Sequence, residues 1–360
     1  MSAFSGSKRQ AALRSAAIEL LEPRQLLSGT SHRPSVTVHA GDSIQAAVDA
    51  ALPGTDILID PGTYMESVTV AKAGIHLIGK SKGNKGVTLD APAGAANGVR
   101  ATAAATGFEL SSVTIQNFAN DGVILVGVAG FELDHVITTN NGAYGLFPIK
   151  STNGVIEGCV ASGQADTGIY VGQSENVAVR GCSVFNNVEG ISIENCSHVD
   201  VTGNLAYDNV IGIASFLLPG LTVKTSSDID ITGNVVLHNN HVNFGDPDDL
   251  ASKIPTGTGI MVLGTDSTRV QANVVFGNQF AGIVVASSLT LAVVAGFPPA
   301  AFADIDPSPD NDVVRFNIAL GNGTQPIPVF GGADLLWDGS GTGNHWSNNL
   351  FKTASPSPLP

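Results

Sequence analysis

The chain has 360 residues, of which 43% are hydrophobic, only 13% are charged and 42 are glycine. This composition excludes a coiled coil, which would be rich in charged residues, and a disordered chain, which would lack the apolar ones. The formal net charge is −14, and an acidic body repels phosphates, so we expect no nucleic acid as a partner. No apolar run reaches the roughly 18 residues that a transmembrane helix needs, so we expect the protein not to span a membrane.

The first 33 residues differ from the remainder because they are basic at first and lack the continuous apolar segment of a standard secretory signal. They contain LEPRQLLS at residues 21–28. This segment resembles the LEPR-XLL surface-protein signal found near the start of many planctomycete proteins. The resemblance implies that residues 1–33 are a targeting segment outside the fold and that the protein is extracellular or on the cell surface.

Residues 34–97 are expected to form an N-terminal cap and the first rungs of a repeat. Residues 42–51 have apolar side chains at helical spacing, with Asp42 or Ser43 as the N-cap. Such a helix would cover an open strand edge, which otherwise invites aggregation. The stretch 41–79, which includes SIQAAVDAA and PGTY, resembles the start of many secreted β-helix proteins.

A repeat occupies residues 98–350. A glycine followed by alternating apolar residues recurs every 22–24 residues, at Gly98, Gly122, Gly145, Gly168, Gly190 and Gly212. Each unit contains short strands separated by Asn and Gly turns, and it is too short to bury its apolar face alone. Stacked units would pair their strands in parallel around one continuous core. The sequence therefore predicts an all-β fold, a single-stranded parallel β-helix, and right-handed crossovers are the general preference.

The alternation predicts the side-chain register. Tyr170, Ser192, Met261 and Val284 are expected to face outward. The residues expected to face the core are Ile169, Val171, Ile191, Ile193, Ile213, Ile260, Val262, Ile283 and Val285. A column of asparagines, one per rung, is predicted to be scaffold: Asn204, Asn234, Asn273 and Asn317. Cys159 and Cys182 occupy the same column and are expected to be buried small residues, with a disulfide between them as the alternative in an exported protein.

Departures from the repeat predict loop insertions near 216–223, 240–257 and 286–311. The Pro/Ser-rich residues 351–360 are expected to be a disordered tail. The insertions leave from or return to nearby rungs, so we expect them to wall a cleft, where function commonly resides. The alternative is that they only shield rung edges.

Candidate site residues follow from this cleft. If the protein is an enzyme, Lys224 and His241 are the candidates for base and acid. Asp246, Asp248 and Asp249 bring together carboxylates that suit calcium, although solvated turns are the preferred explanation of them. The segment 246–249 resembles the DPHD motif of alginate epimerases, with Asp248 in place of its His. The residues expected to bind substrate are Tyr170, Gln173, Glu194, Asp246 and Asp248.

Residues 166–262 resemble secreted bacterial parallel β-helix repeat proteins, with pectate-lyase-like and NosD-like proteins as wider relatives. A long β-helix face with a cleft built by insertions fits an extended glycan, so we expect a monomer that binds or modifies an extended extracellular polysaccharide. A catalytic member would be a polysaccharide lyase, an epimerase or a glycoside hydrolase. The alternatives are a non-catalytic structural or adhesive surface protein and a NosD-like accessory protein. The resemblance transfers no catalytic residues, because that family has no settled reaction.

Overall fold

The computed structural model describes residues 33–248, 250–327 and 331–360. Within these residues, 33 strands form three sheets, and the named strands pair in parallel. Each regular rung runs from sheet 1, where the repeat glycine lies, through sheet 2 to sheet 3, and the next rung stacks on it. The targeting segment predicted from residues 21–28 lies outside the described residues.

The strand bounds are as follows. Sheet 1 contains β4 (Val68–Val70), β7 (Asn97–Ala101), β10 (Asp121–Val126), β13 (Leu146–Ile149), β16 (Thr167–Gly172), β19 (Glu189–Glu194), β22 (Ile211–Phe216), β25 (Thr258–Leu263), β28 (Ala281–Ala286), β31 (Ala333–Trp337) and β33 (Ala354–Ser355). Sheet 2 contains β1 (Ser35–Val38), β2 (Asp56–Ile59), β5 (His76–Gly79), β8 (Phe108–Ser111), β11 (Ala129–Asp134), β14 (Thr152–Glu157), β17 (Glu175–Arg180), β20 (Ser197–Thr202), β23 (Ser227–Thr232), β26 (Arg269–Gln271), β29 (Val313–Arg315) and β32 (His345–Ser347). Sheet 3 contains β3 (Gly62–Met65), β6 (Val87–Asp90), β9 (Val113–Gln116), β12 (Ile137–Thr139), β15 (Val160–Ser162), β18 (Ser183–Phe185), β21 (Leu205–Tyr207), β24 (Val235–Leu237), β27 (Val274–Phe276) and β30 (Ile318–Leu320).

The core confirms the predicted register. All nine residues expected to face inward belong to one continuous apolar cluster that runs through the solenoid. Ile191, for example, pairs with Ile169 on one side and Ile213 on the other, so identical positions stack along the axis. Their neighbours Met261 and Val284 belong to a separate apolar cluster on the outer face of sheet 1.

Buried amide ladders reinforce the turns. Asn234 Oδ1 accepts the Asn204 backbone N–H at 2.9 Å, and Asn234 Nδ2 donates to Asn273 Oδ1 at 3.0 Å. Cys159 and Cys182 precede Asn204 in this column as buried free thiols. A second ladder at the corner between sheets 3 and 1 consists of Asn187, Asn209, Asn239, Asn278 and Asn322 and ends at Asp334. The ladders satisfy backbone groups that would otherwise be buried without partners.

A helix covers the first rungs. α1 (Ile44–Ala50) begins after Ser43, whose hydroxyl accepts the Ala46 N–H at 3.1 Å, and it packs Ile44 and Val48 into the core. At the other end, residues 351–360, predicted to be a disordered tail, instead add β33 to sheet 1 and pack Leu359 against the core. None of the helices that the structure describes is long and apolar enough to cross a membrane.

Three insertions interrupt the regular rungs. They occupy residues 217–226, 238–257 and 287–312, between β22 and β23, β24 and β25, and β28 and β29. The second contains a 3-10 helix (Leu250–Lys253), and the third contains α2 (Leu289–Ala295) and a 3-10 helix (Pro299–Phe302). Ile254 and Phe302 from these insertions pack over outward residues of sheet 1 and bury them.

Candidate functional site

Two buried glutamates lie on the outer side of sheet 1 where the insertions begin. Glu189 and Glu194 are the first and last residues of β19, and only 4% and 9% of their surfaces are exposed. Ser192 lies between them and donates a hydrogen bond to Glu194 Oε1 at 3.1 Å. Glu189 Oε2 is buried without a hydrogen-bond partner in the described part of the chain. A buried carboxylate oxygen that lacks a partner costs stability, so its position calls for an explanation.

Burial changes the proton affinity of both glutamates. Burial raises the pKa of Glu194 to about 7, and the negative charge of Asp166 adds to the rise, while hydrogen bonds from Tyr170 and Ser192 oppose it. Burial raises the pKa of Glu189 well above its ordinary range, and the charges of Glu194 and Asp166 raise it further. Both carboxyls of this strand therefore bind a proton more tightly than an exposed glutamate does. Such a pair is suited to general acid–base chemistry.

Three aromatic rings lie next to the glutamates. The ring centroids of Tyr144 and Phe147 are 4.3 Å apart, and those of Phe147 and Tyr170 are 4.9 Å apart. Burial raises the pKa of the Tyr144 and Tyr170 hydroxyls well above its usual range, so both hydroxyls stay protonated. Rings with an apolar body and a polar edge suit contact with a ligand that has both apolar and hydroxylated surfaces.

The insertions form the opposite wall of the site. A cavity of about 330 Å³ extends from Glu194 to Leu218, Leu250 and Phe302, which come from the three insertions. A smaller cavity of about 190 Å³ lies over Asp166 and Glu189. The acidic groups thus line the floor of a cleft whose wall is mainly apolar.

The structure brings Tyr170 and Glu194 together in this site, but it places Gln173 and Lys224 at the base of the first insertion. Gln173 Oε1 accepts the Thr222 and Val223 backbone N–H groups at 2.9 and 3.3 Å. Lys224 forms an ion pair with Asp304 of the third insertion. These two side chains hold the insertions in place.

His241, Asp246 and Asp248 lie on the second insertion. The His241 ring packs against Phe244, with centroids 4.9 Å apart. Asp246 Oδ1 accepts the Asp248 backbone N–H at 3.0 Å, as in a polar turn, while Asp249 lies outside the described residues. Within the ranges that the structure describes, no three His, Cys, Asp or Glu side chains are grouped to hold a metal ion. Calcium binding therefore stays a prediction.

Sequence reasoning missed Glu189, Asp166 and Tyr144. Glu189 directly precedes the repeat glycine Gly190, and it stacks between Thr167 and Ile211 on the neighbouring rungs. The available signal was a charged residue between uncharged residues on the two neighbouring rungs. The spacing alone did not show that the insertions cover this column.

A second groove, of about 460 Å³, runs along the outer face of sheet 2. There Arg269 contacts both carboxylate oxygens of Asp230, at 2.5 and 2.7 Å, and His198 lies 3.8 Å from Asp228. These charges pair with one another at the surface, as on an ordinary solvated face. We therefore place the candidate site on sheet 1.

Comparisons with known proteins agree with the architecture. Residues 97–218 match the family model described as a right handed beta helix region, and no curated protein matches the chain. The A-module of the mannuronan C-5 epimerase AlgE4 from Azotobacter vinelandii is similar in structure, with a TM-score of 0.56, 16% identity, and coverage of 87% of this chain and 93% of that one. The family 28 exopolygalacturonase of Yersinia enterocolitica has a TM-score of 0.60 and 12% identity, with coverage of 88% of this chain and 71% of that one. The periplasmic alginate epimerase AlgG has a TM-score of 0.50 and 13% identity, with coverage of 88% of this chain and 84% of that one. The chain thus folds as a right-handed parallel β-helix.

Proposed function

We propose that this protein binds and modifies an extended extracellular polysaccharide in the cleft on sheet 1, with Glu189 and Glu194 as the proton-transfer groups. The observation that carries the proposal is the pair of buried carboxyls on β19, one with an unpartnered oxygen, on the floor of a cleft and next to three aromatic rings. The names of three similar structures, a mannuronan epimerase, an alginate epimerase and an exopolygalacturonase, support a polysaccharide as the substrate class.

Glycoside hydrolysis is the reaction type that fits this pair best. Cleavage needs one carboxylic acid to protonate the leaving oxygen and one carboxylate to activate water or attack the sugar. The strongly raised pKa of Glu189 suits the first role, and the pKa of Glu194, raised only to about 7, suits the second. Epimerisation or elimination on a uronate would also need positive charge beside the substrate carboxylate, whereas this floor is acidic.

The test is a screen of the purified protein against acidic and neutral polysaccharides, with and without calcium, for binding and for product. In Glu189→Gln and Glu194→Gln we expect product formation to fall by about a hundredfold or more while binding persists. Glu132→Gln is the matched control, because Glu132 is an exposed glutamate on sheet 2. Unchanged product formation in both site variants would exclude this pair. Binding without product in the parent protein would favour the non-catalytic surface protein.

Three predictions from the sequence remain proposals. Proton transfer by Lys224 and His241 is tested by Lys224→Ala and His241→Ala in the same screen. Calcium binding at residues 246–249 is tested by its calcium arm. Export is tested by locating the protein in fractionated cells of the organism that produces it.

A further inference from the structure

The insertions close the cleft at one end. From β22 onward the outward residues of sheet 1 are buried: Ala214, Met261 and Val284 pack beneath Ile254 and Phe302. A ligand that lies along sheet 1 therefore finds no accessible surface on these later rungs.

The earlier rungs are covered only in part. Arg100 on β7 is exposed and Phe147 on β13 is half-buried, whereas Ile124 on β10 and Tyr170 on β16 are 9% and 7% exposed. The connections from sheet 1 to sheet 2 are short here, with residues 150–151 after β13 and residues 173–174 after β16. These short turns do not themselves cover the sheet, and the first insertion contacts its edge through Lys150 and Gln173. The approach to the glutamates therefore runs over Tyr144 and Phe147, which are half-buried.

The wall between the open and closed parts is fixed in place. Asn195 Nδ2 donates to the Leu218 and Val223 carbonyls at 2.9 and 2.7 Å, and its Oδ1 accepts the Leu218 N–H at 2.9 Å. The Ser288 hydroxyl donates to the Leu217 carbonyl at 2.6 Å, which ties the first insertion to the third. A segment held by this many hydrogen bonds is a permanent barrier and not a lid.

We propose that the cleft receives the end of a glycan chain and that the protein acts on the terminal unit. The inference rests on the function proposed above. A chain lying over Tyr144, Phe147 and Tyr170 reaches the glutamates and then meets Leu218. The cavity beyond Glu194, about 330 Å³, is at the lower end of the range of ligand sites, roughly 300–1,000 Å³. It suits terminal sugar rings, and Leu218, Leu250 and Phe302 from the three insertions form its walls.

The reaction at such a site is hydrolysis of the terminal glycosidic bond. Glu189 gives its proton to the oxygen that leaves, and the bond from that oxygen to the anomeric carbon breaks. Water forms the new bond to the anomeric carbon and gives a proton to Glu194. Transfer of that proton back to Glu189 restores the starting state, so one water is consumed for each unit released.

The test compares short and long size fractions of polygalacturonate, mannuronan and a neutral β-glucan. At a chain-end site each chain presents one binding end, whatever its length. The affinity per mole of chain is therefore the same for the short and the long fraction of the polysaccharide that binds. The affinity per unit mass falls in proportion to chain length. The first detectable product is the smallest one, and viscosity falls slowly. Equal affinity per unit mass, or a rapid fall in viscosity, would overturn the chain-end inference and leave the proposed function intact. Failure of every fraction to bind would overturn both.

A variant tests the barrier itself. Replacing residues 218–223 by two glycines removes the nearest wall, and we expect longer products to appear early in the reaction. Residues 80–86, a surface connection between β5 and β6, are the matched control for a loop replacement. If the wall variant does not fold, the length dependence of the parent protein still decides the question.

Discussion

The Tyr170 hydroxyl donates a hydrogen bond of 2.9 Å to Glu194 Oε2 on the adjacent rung. The Tyr170 ring takes the space over Gly172, where a Cβ would lie 2.2 Å from the ring atom Cε1. The missing side chain at position 172 therefore lets the phenol lie flat against the sheet and reach the carboxyl. The glycine at position 172 thus sets the environment of the Glu194 carboxyl on the next rung.

Replacing Tyr170 by Phe should raise the pKa of Glu194. The hydroxyl stabilises the ionised carboxylate, and its hydrogen bond opposes the effect of burial. Without it we expect the pKa to move above about 7 by roughly one unit. Carbon-13 NMR titration of glutamate-labelled protein measures this directly. Tyr207→Phe, at a ring stacked on Phe185 in sheet 3, should leave the titration unchanged, and a fall in the pKa in Tyr170→Phe would contradict the assignment.

Replacing Asp312 by Asn should stabilise the protein at alkaline pH. Burial raises the pKa of Asp312 to about 8, and the charges of Asp266 and Asp310 contribute. The folded state therefore keeps a proton that the unfolded state releases, so the free energy of unfolding falls as pH rises from about 4 to about 8, by up to about 1.4 kcal/mol per pH unit. Asp312→Asn has no ionisable group at this position, so it does not suffer this fall in the free energy of unfolding. Its advantage, measured by urea denaturation, should be absent below pH ~4 and largest above pH ~8.

Replacement of Asp334 by Asn is the matched control, and it should lower the free energy of unfolding instead of raising it. Asp334 Oδ2 accepts the Lys352 and Thr353 backbone N–H groups at 2.9 and 3.1 Å. An amide nitrogen there would face two donors, so Asp334→Asn should cost about 1–3 kcal/mol. Asp312 Oδ2, by contrast, is buried without a hydrogen-bond partner among the described residues. Equal effects of the two substitutions would show that this oxygen is not the cause.

Neighbouring residues on β17 test the register. Val179 is fully buried in the core, whereas Ala178 faces outward, where it pairs with Asp200 on the next rung. Val179→Asp buries an unpaired carboxylate and should cost more than about 3 kcal/mol, while Ala178→Asp should cost less than about 1 kcal/mol. Chemical denaturation of both variants measures the difference. A larger loss for Ala178→Asp would mean that the strand is shifted by one residue.

Removing the Asn195 side chain should loosen the wall of the cleft. Asn195 has a φ of 50°, so glycine removes the amide without straining this left-handed conformation. The loss of hydrogen bonds worth about 1 kcal/mol each should speed amide exchange in residues 217–226 by about tenfold or more. Asn186→Gly is the control, at an exposed corner with a φ of 54°. Unchanged protection of residues 217–226 in Asn195→Gly would show that other contacts hold the wall.

The sequence by itself determined the regular part of this molecule. The inward position of Ile193 follows from a period of two within strands and a period of 22–24 between rungs. The ladder through Asn234 follows from one asparagine per rung, even where insertions lengthen the rung. In a solenoid each rung contacts mainly its neighbours, so spacing in the sequence converts directly into spacing along the axis. The positions of Tyr170 and Glu194 on sheet 1 could be predicted for the same reason.

Only the tertiary structure decided which of these groups form a site. Glu189 is buried because Leu218 and Leu250 come over it from two insertions, and burial is what raises its pKa. Lys224 is held by Asp304, a residue 80 positions away. Insertions have no repeat, and their packing depends on contacts between segments far apart in the chain. No local period encodes such contacts, so the cover of the cleft, and with it the proton affinity of the glutamates, emerged only from the folded chain.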